Sequence, residues 1–484
     1  MIFSSLIFIY AFLPVVLGIY YLIPKKATSV RNIWLFLTSL VFYGFGEPKV
    51  VFVMLLSIVL NYLLALLVDK YRSKTLGKLF LSLDIIANLL ILFIFKYLNF
   101  SIRIIDGLYE NLIGQTNIAL PIGISFFTFQ AISYVADVYK EKGKVQKNPL
   151  NVGLYIAFFP QLVAGPIVRY ETIEKQIKER SISVDSFAEG IRRFLIGFSK
   201  KIFIANNVAF LADKIFTTVY HGETVGVVYA WVGALCYSLQ IYFDFSGYSD
   251  MAIGLGKMFG FEFEENFDNP YAASSVTDFW RRWHISLGSF FRDYVYIPLG
   301  GSRVGKFRLI VNLFVVWFLT GLWHGADFNF ILWGLMYFVI LSFEKLIKIP
   351  TYVGKKESSF AVKYLYRVFT LLCIVFGWIL FRSNSLGTCF RFVKSMFFIG
   401  NGYLLNQSEM YIIKDALLMM IAGILLSFPV FGQNGITVKI MKKSNDRVTR
   451  LFTVLETIFL FVLFIIGTAD LVVNSYNPFI YFNF

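Results

Sequence analysis

Residues 50–68 read VVFVMLLSIVLNYLLALLV, nineteen residues without a charge. A helix needs about 20 apolar residues to cross the hydrocarbon core of a bilayer. In lipid its backbone polar groups must be satisfied within the segment. The stretch therefore predicts a membrane-spanning helix. Comparable apolar runs lie near 5–24, 33–46, 79–98, 118–137 and 150–168, and then near 194–212, 226–244, 308–323, 327–347, 364–382, 411–431 and 451–473. Several are short or broken, as 150–168 is by Pro160, Gly165 and Pro166. Such segments suit re-entrant backbone covered by protein, and the expected total is 11–13 helices. The predicted class is an all-α polytopic membrane protein, with one transmembrane domain over residues 1–484.

The composition agrees. Of 484 residues, 57% are hydrophobic and 15% charged, against roughly 45–50% and 25% in soluble domains. Disorder is excluded, and a water-soluble enzyme is not expected. The net charge is +15, but the basic residues sit mostly in short loops between apolar runs. That pattern reads as orientation signals and headgroup contacts, not nucleic-acid binding. Lys25, Lys26 and Arg31 follow the first run, Lys70, Arg72, Lys74 and Lys78 the third, and Lys140, Lys142, Lys144 and Lys147 the fifth. The positive-inside rule places these loops in the cytoplasm and the N-terminus outside. No basic residue precedes Lys25, so residues 5–24 read as an uncleaved first span, and Ile2 excludes N-myristoylation. The stretch 183–204, with Arg192, Arg193, Lys200 and Lys201, reads as an interfacial amphipathic helix. Cys236, Cys373 and Cys389 show no disulfide or zinc spacing and read as buried free thiols.

Chemistry narrows to few residues. Of three histidines, His221 sits in a polar turn and reads as solvated. His284 lies in SVTDFWRRWHISL, Ser275 to Leu287, where Asp278 is within helical ion-pair reach of Arg281 and Arg282. On a continuous helix Trp280 and His284 share a face. The segment is either an interfacial anchor or part of a substrate channel. His324 ends an apolar run at Leu322-Trp323-His324-Gly325, and an ionisable group at membrane depth faces a cavity or a partner. A neutral imidazole there is a usable general base for attack of a hydroxyl on an acyl carbonyl. No G-x-S-x-G elbow, P-loop or H-E-x-x-H is present. Gln161 and Asp244 also place polar groups inside apolar runs. Asp244 is either a structural partner of a buried cation or a tunnel residue.

Taken together these motifs resemble the membrane-bound O-acyltransferases, in particular their AlgI-like polysaccharide O-acetylating subfamily. The resemblance rests on PIGISFFTFQ from Pro121, FFPQLVAGPI from Phe158 and YFDFSGYSDMAIG from Tyr242. It rests further on DFWRRWHISL from Asp278, FRDYVYIPLGG from Phe291, LWHGA from Leu322 and FRSNS from Phe381. It implies a ring of helices around a funnel or tunnel, with a catalytic core over 121–385. It also implies acyl transfer from a cytoplasmic thioester, acetyl-CoA or an acyl carrier protein, to hydroxyls of an exported polysaccharide, with no metal or bound cofactor. The family's essential histidine maps onto His324 and its second onto His284. Asp244, Asp278, Arg281, Arg282, Trp283, Trp323 and Gln161 become candidate tunnel residues. An exported SGNH-type transferase is the expected outer partner, and the bacterial cytoplasmic membrane the expected location. The ending Asn477-Pro478-Phe479-Ile480-Tyr481-Phe482-Asn483-Phe484 resembles that of the small membrane peptide of the related teichoic-acid D-alanylation system. By that likeness 475–484 is an extracytoplasmic tail with Tyr481 as acyl relay. Otherwise the tail is an aromatic interfacial anchor. Rival readings are D-alanyl or peptidoglycan transfer within the same family, a transporter or flippase, and a scaffold for a secreted transferase.

Overall fold

A computed structural model of the chain describes residues 1–46, 48–109, 112–353, 359–399, 402–429, 446–474 and 476–480. Among them every regular element is helical, and the one β-type pairing is an isolated antiparallel bridge between Phe267 and Trp283. Seven helices among the described residues are long and apolar enough to cross a membrane: Val50–Tyr71, Thr75–Tyr109, Val184–Tyr220, Lys306–His324, Phe328–Ile347, Phe360–Arg382 and Arg447–Val473. The remaining apolar runs fold as shorter or more polar pieces. Thr28–Gly44 and Ile124–Tyr139 have 17 and 16 residues. The run near 150–168 breaks at Phe158, whose ψ of 113° leaves the helical region between Pro149–Ala157 and Phe159–Leu162. The run near 411–431 becomes Gln407–Leu426, which carries Glu409, Lys414 and Asp415.

The stretch 183–204 is helical from Val184 onward. It opens the unbroken helical run Val184–Tyr220. The charge that reads as surface-seeking in sequence is neutralised inside the protein: Lys201 Nζ lies 2.7 Å from the Asp244 carboxylate, and both side chains are buried.

The chain divides into two compact units. The first comprises residues 1–194 and 248–264. Its helices Val50–Tyr71 and Thr75–Leu92 pack on each other and on Ile124–Tyr139, which is buried from Ile124 to Val138. Asn61 and Asn88 exchange amide hydrogen bonds of 3.2 and 2.9 Å across the first pair, so neither buried amide is left unsatisfied. Gly123, at φ 76°, starts the Ile124–Tyr139 helix where a Cβ would come within 2.7 Å of the Leu162 carbonyl oxygen.

The second unit comprises residues 195–247 and 265–484 and carries both candidate histidines. Its most intimate helix pair is Lys306–His324 with Phe328–Ile347. Two glycines let these backbones meet. A Cβ on Gly321 would lie 3.3 Å from the Gly334 Cα, and one on Gly334 would collide with the Trp317 carbonyl. This close approach sets the position of His324, the last residue of the first helix. Of the three thiols, Cys236 is buried and Cys373 and Cys389 are half-buried; none is in a disulfide.

Candidate active site

The second unit brings His284 and His324 to the wall of one cavity of about 260 Å³. His324 is buried at its helix terminus, followed by an extended Gly325. Its ring packs edge-on against Trp323, Trp333 and Phe381, with centroids 4.9, 5.0 and 5.2 Å away. Trp323 also meets the His284 ring at 5.8 Å, so one indole touches both histidines. Six of the chain's eight tryptophans, at 280, 283, 317, 323, 333 and 378, interlock in this aromatic mass. Large rigid rings hold the imidazoles in place and keep the local dielectric low.

His284 is not on the helix of Trp280. That helix runs Val276–Arg282, and the next begins at Ile285. His284 lies between them in the left-handed region, φ 48° and ψ 54°, an uncommon state for a residue with a Cβ. The expected shared face with Trp280 therefore does not form, because the chain turns at Trp283. The segment around Asn266 fixes this turn. The Ile285 N–H donates to the Asn266 carbonyl at 3.0 Å, and the Asp268 N–H to the Arg282 carbonyl at 2.9 Å. Asn266 Oδ1 accepts from the Ser286 N–H at 3.1 Å and the Ser286 hydroxyl at 2.9 Å, and lies 3.3 Å from His284 Nδ1. A backbone N–H can only donate, so the Asn266 atom facing it is the oxygen. Nδ1 of His284 is then the protonated nitrogen, and Nε2 carries the lone pair. Burial lowers the His284 pKa from 6.5 to about 3, so the ring is neutral at physiological pH.

A second residue that sequence reading missed holds the other end of this segment. Glu344, fully buried in the Phe328–Ile347 helix, accepts from the Val276 N–H at 2.9 Å and the Thr277 N–H at 2.7 Å. It also accepts from the Thr277 hydroxyl at 2.5 Å and the Tyr366 hydroxyl at 2.8 Å. The carboxylate thus caps the first turn of the Val276–Arg282 helix, where free N–H groups and the helix dipole favour an anion. The only sequence signal was a lone acid near the end of an apolar run.

Arg281, Arg292 and Lys345 line the cavity and are exposed, while the histidines and Trp283 lie on its buried side. No carboxylate among the described residues lines it, and Arg292 is paired with Asp293 at 2.7 Å. The Trp280 indole N–H is a buried donor on the wall with no acceptor among the described residues. The other sequence candidates lie elsewhere. Arg282 pairs with Asp278 at 2.9 Å, and Asp278 also accepts from the Ser274 N–H. Asp244 is held by Lys201 and accepts the Ile480 N–H at 2.8 Å. Gln161 belongs to the first unit, where Nε2 donates to the Tyr155 carbonyl at 2.5 Å. His221 is exposed at the end of the Asn206–Tyr220 helix. Tyr481 lies outside the described residues. Among the described residues no three His, Cys, Asp or Glu side chains cluster as metal ligands would.

Comparison with known proteins adds a family. Residues 49–387 match the profile of the membrane-bound O-acyltransferase family. The chain is 41% identical to the probable alginate O-acetylase of Pseudomonas aeruginosa, over 85% of this chain and 78% of that one. It is 38% identical to the probable alginate O-acetylase of Pseudomonas putida over the whole length of both. It is 36% identical to the peptidoglycan O-acetyltransferase of Helicobacter pylori, over 82% of this chain and 80% of the relative.

Two outcomes follow from the geometry. Glu344→Gln keeps the shape but loses the charge that accepts four hydrogen bonds. It is expected to lower stability by about 1.5–3 kcal/mol, seen as a lower melting temperature of the detergent-solubilised protein. For His284, the folded pKa lies below the unfolded one, so the unfolded chain binds more protons below pH 6.5. The stability this group contributes is fully present above pH 6.5 and is lost as pH falls toward 3, at roughly 1 kcal/mol per pH unit. Thermal melts between pH 7.5 and 5 should therefore fall less steeply for His284→Gln than for the wild type.

Proposed function

The chain belongs to the membrane-bound O-acyltransferase family, and from that premise we propose that it moves an acetyl group from a cytoplasmic thioester toward hydroxyls of an exported or cell-surface polysaccharide. It is a multi-pass membrane protein and an O-acyltransferase. The observation that carries the finer reading is a cavity lined by two buried histidines, with Arg281, Lys345 and the Asp293-paired Arg292 at its exposed residues and no carboxylate lining it among the described residues. A thioester on a phosphate-bearing arm, acetyl-CoA or acyl carrier protein, matches that charge. Arg281, Arg292 and Lys345 face the phosphates, and the thioester reaches the aromatic end.

In this reading His324 is the general base. The acceptor oxygen attacks the thioester carbonyl carbon, its proton passes to the His324 imidazole, the C–S bond breaks, and the proton leaves with the thiol. His284, with Nδ1–H directed to Asn266, presents a lone pair at Nε2. Nε2 therefore orients a donor or hydroxyl by accepting a hydrogen bond. The buried indole N–H of Trp280 is the better placed type of group to meet a carbonyl oxygen. Tyr481 is the proposed acyl relay. Its phenol oxygen takes the acetyl group as an ester, and an exported SGNH-type transferase passes the group to the glycan. The proposed setting is the bacterial cytoplasmic membrane, with the N-terminus and the tail outside. The similarity to a peptidoglycan O-acetyltransferase favours peptidoglycan as the second acceptor to test.

The test is the ester-linked acyl content of surface and secreted glycans, released by mild base and identified by mass. At matched membrane levels His324→Ala is expected to abolish the esters, and unchanged content would overturn the assignment. Tyr481→Phe keeps the ring and removes the nucleophile. It is expected to abolish transfer to glycan, and full acylation in that variant would overturn the relay.

A further inference from the structure

Outside the cavity, Lys201 and Asp244 form a buried ion pair at 2.7 Å. Both side chains are at most 3% exposed, and each sits in a helix of the second unit. Taking two opposite charges out of water stabilises little unless their remaining hydrogen-bonding capacity is used. Here the chain's own C-terminal segment uses it. Lys201 Nζ donates to the Pro478 carbonyl, and Asp244 Oδ2 accepts the Ile480 N–H at 2.8 Å. One backbone acceptor and one backbone donor, two residues apart, thus divide themselves between the cation and the anion. Phe479 and Ile480 are buried beside them. Asn206 donates to the Asn477 side chain at 3.3 Å. Further out, the Tyr476 hydroxyl donates to Asp213 at 2.6 Å, and Asp213 pairs with Arg382 at 2.7 Å. Arg382 follows Phe381, whose ring packs on His324. Four polar contacts and two buried apolar side chains over five residues make a docking site.

We propose that the Lys201–Asp244 pair is a seat for residues 476–480, and that acyl transfer requires this segment to be seated. Lys201 and Asp244 are then positioning residues. They touch no substrate, but they fix the point from which residue 481 continues. The functional half of the proposal rests on the relay reading of Tyr481, whereas the seat itself does not. The recognition is of backbone groups by an ion pair, so breaking it requires removal of the pair or of the Ile480 N–H.

Hydrogen–deuterium exchange on the full chain in detergent tests the seat. The Ile480 amide in the wild type is expected to exchange at least about tenfold more slowly than in the double variant Lys201→Met, Asp244→Leu, which replaces the pair by apolar side chains. Equal exchange in the two proteins overturns the seat. Should the double variant fail to fold, Ile480→Pro removes the donor and leaves the pair intact. Faster exchange at Asn477 and Phe479 is expected there, whereas Ile480→Leu, which keeps the N–H, is protected like the wild type. In cells, Ile480→Pro at matched membrane levels is expected to lower glycan ester content on the order of tenfold. A released tail with undiminished transfer overturns the positioning role. The relay and the seat fail separately. Full acylation by Tyr481→Phe with Ile480 still protected removes the relay and leaves the seat, and an unprotected Ile480 in the wild type removes the seat and leaves the relay.

Discussion

A carboxylate buried in an apolar helix, Glu344, is the constraint on which the site depends. Its oxygens take the first two backbone donors of the Val276–Arg282 helix and the hydroxyls of Thr277 and Tyr366. Away from water those N–H groups need a partner, and an ion in the same place needs several donors. Each requirement satisfies the other. The result fixes a short helix, too short to be stable alone, against a long one. Trp280 and Arg281 on the short helix reach the cavity through that fixture, and His284 follows two residues after its end. The far side of the turn is fixed in the same way by Asn266, whose oxygen gathers donors from Ser286 and His284.

The two histidines reach the cavity by different routes. His324 needs no strained backbone, because the Gly321–Gly334 contact brings its helix terminus into the aromatic mass. His284 needs a left-handed residue and is held there by hydrogen bonds on both sides. A non-glycine residue in that region costs about 1–3 kcal/mol, and strain of this kind persists where surrounding structure over-determines it. The neutral state of His284 has the same origin as its immobility. The rings and helices that fix it also exclude the water that would solvate its cation.

Much of the fold was legible in the sequence because membrane helices announce themselves by length and polarity. The run near 50–68 appears as Val50–Tyr71, and the run near 327–347 as Phe328–Ile347. The failures came where charge was read without its partner. Arg192, Arg193, Lys200 and Lys201 made 183–204 read as an interfacial amphipathic helix, and only Asp244, 43 positions later, shows why Lys201 can be buried. The motif residues His284, His324, Arg281 and Trp283 do converge on one cavity. Glu344 and Asn266 were invisible because their partners lie 68 and 20 positions away. The helical periodicity that grouped Trp280 with His284 failed for a local reason, a turn at Trp283 that no propensity marks.

In the proposed relay through Tyr481, the seat at Lys201 and Asp244 bears on how one chain would serve two compartments. A soluble acceptor would have to find the mouth of a buried site by diffusion and leave again with its ester. A nucleophile on a tethered segment meets the site at an effective concentration set by the tether, without a second binding event. Flexibility alone would spread that concentration over the tether's whole reach. Anchoring residues 476–480 a single residue before Tyr481 removes most of that freedom, and the ordering entropy is offset by two contacts to charged groups. The ion pair gains as well, since the tail supplies the hydrogen bonds that water would otherwise give. Burial of the pair and docking of the tail are therefore one event energetically. That coupling accounts for the burial of Lys201 within the helical run Val184–Tyr220.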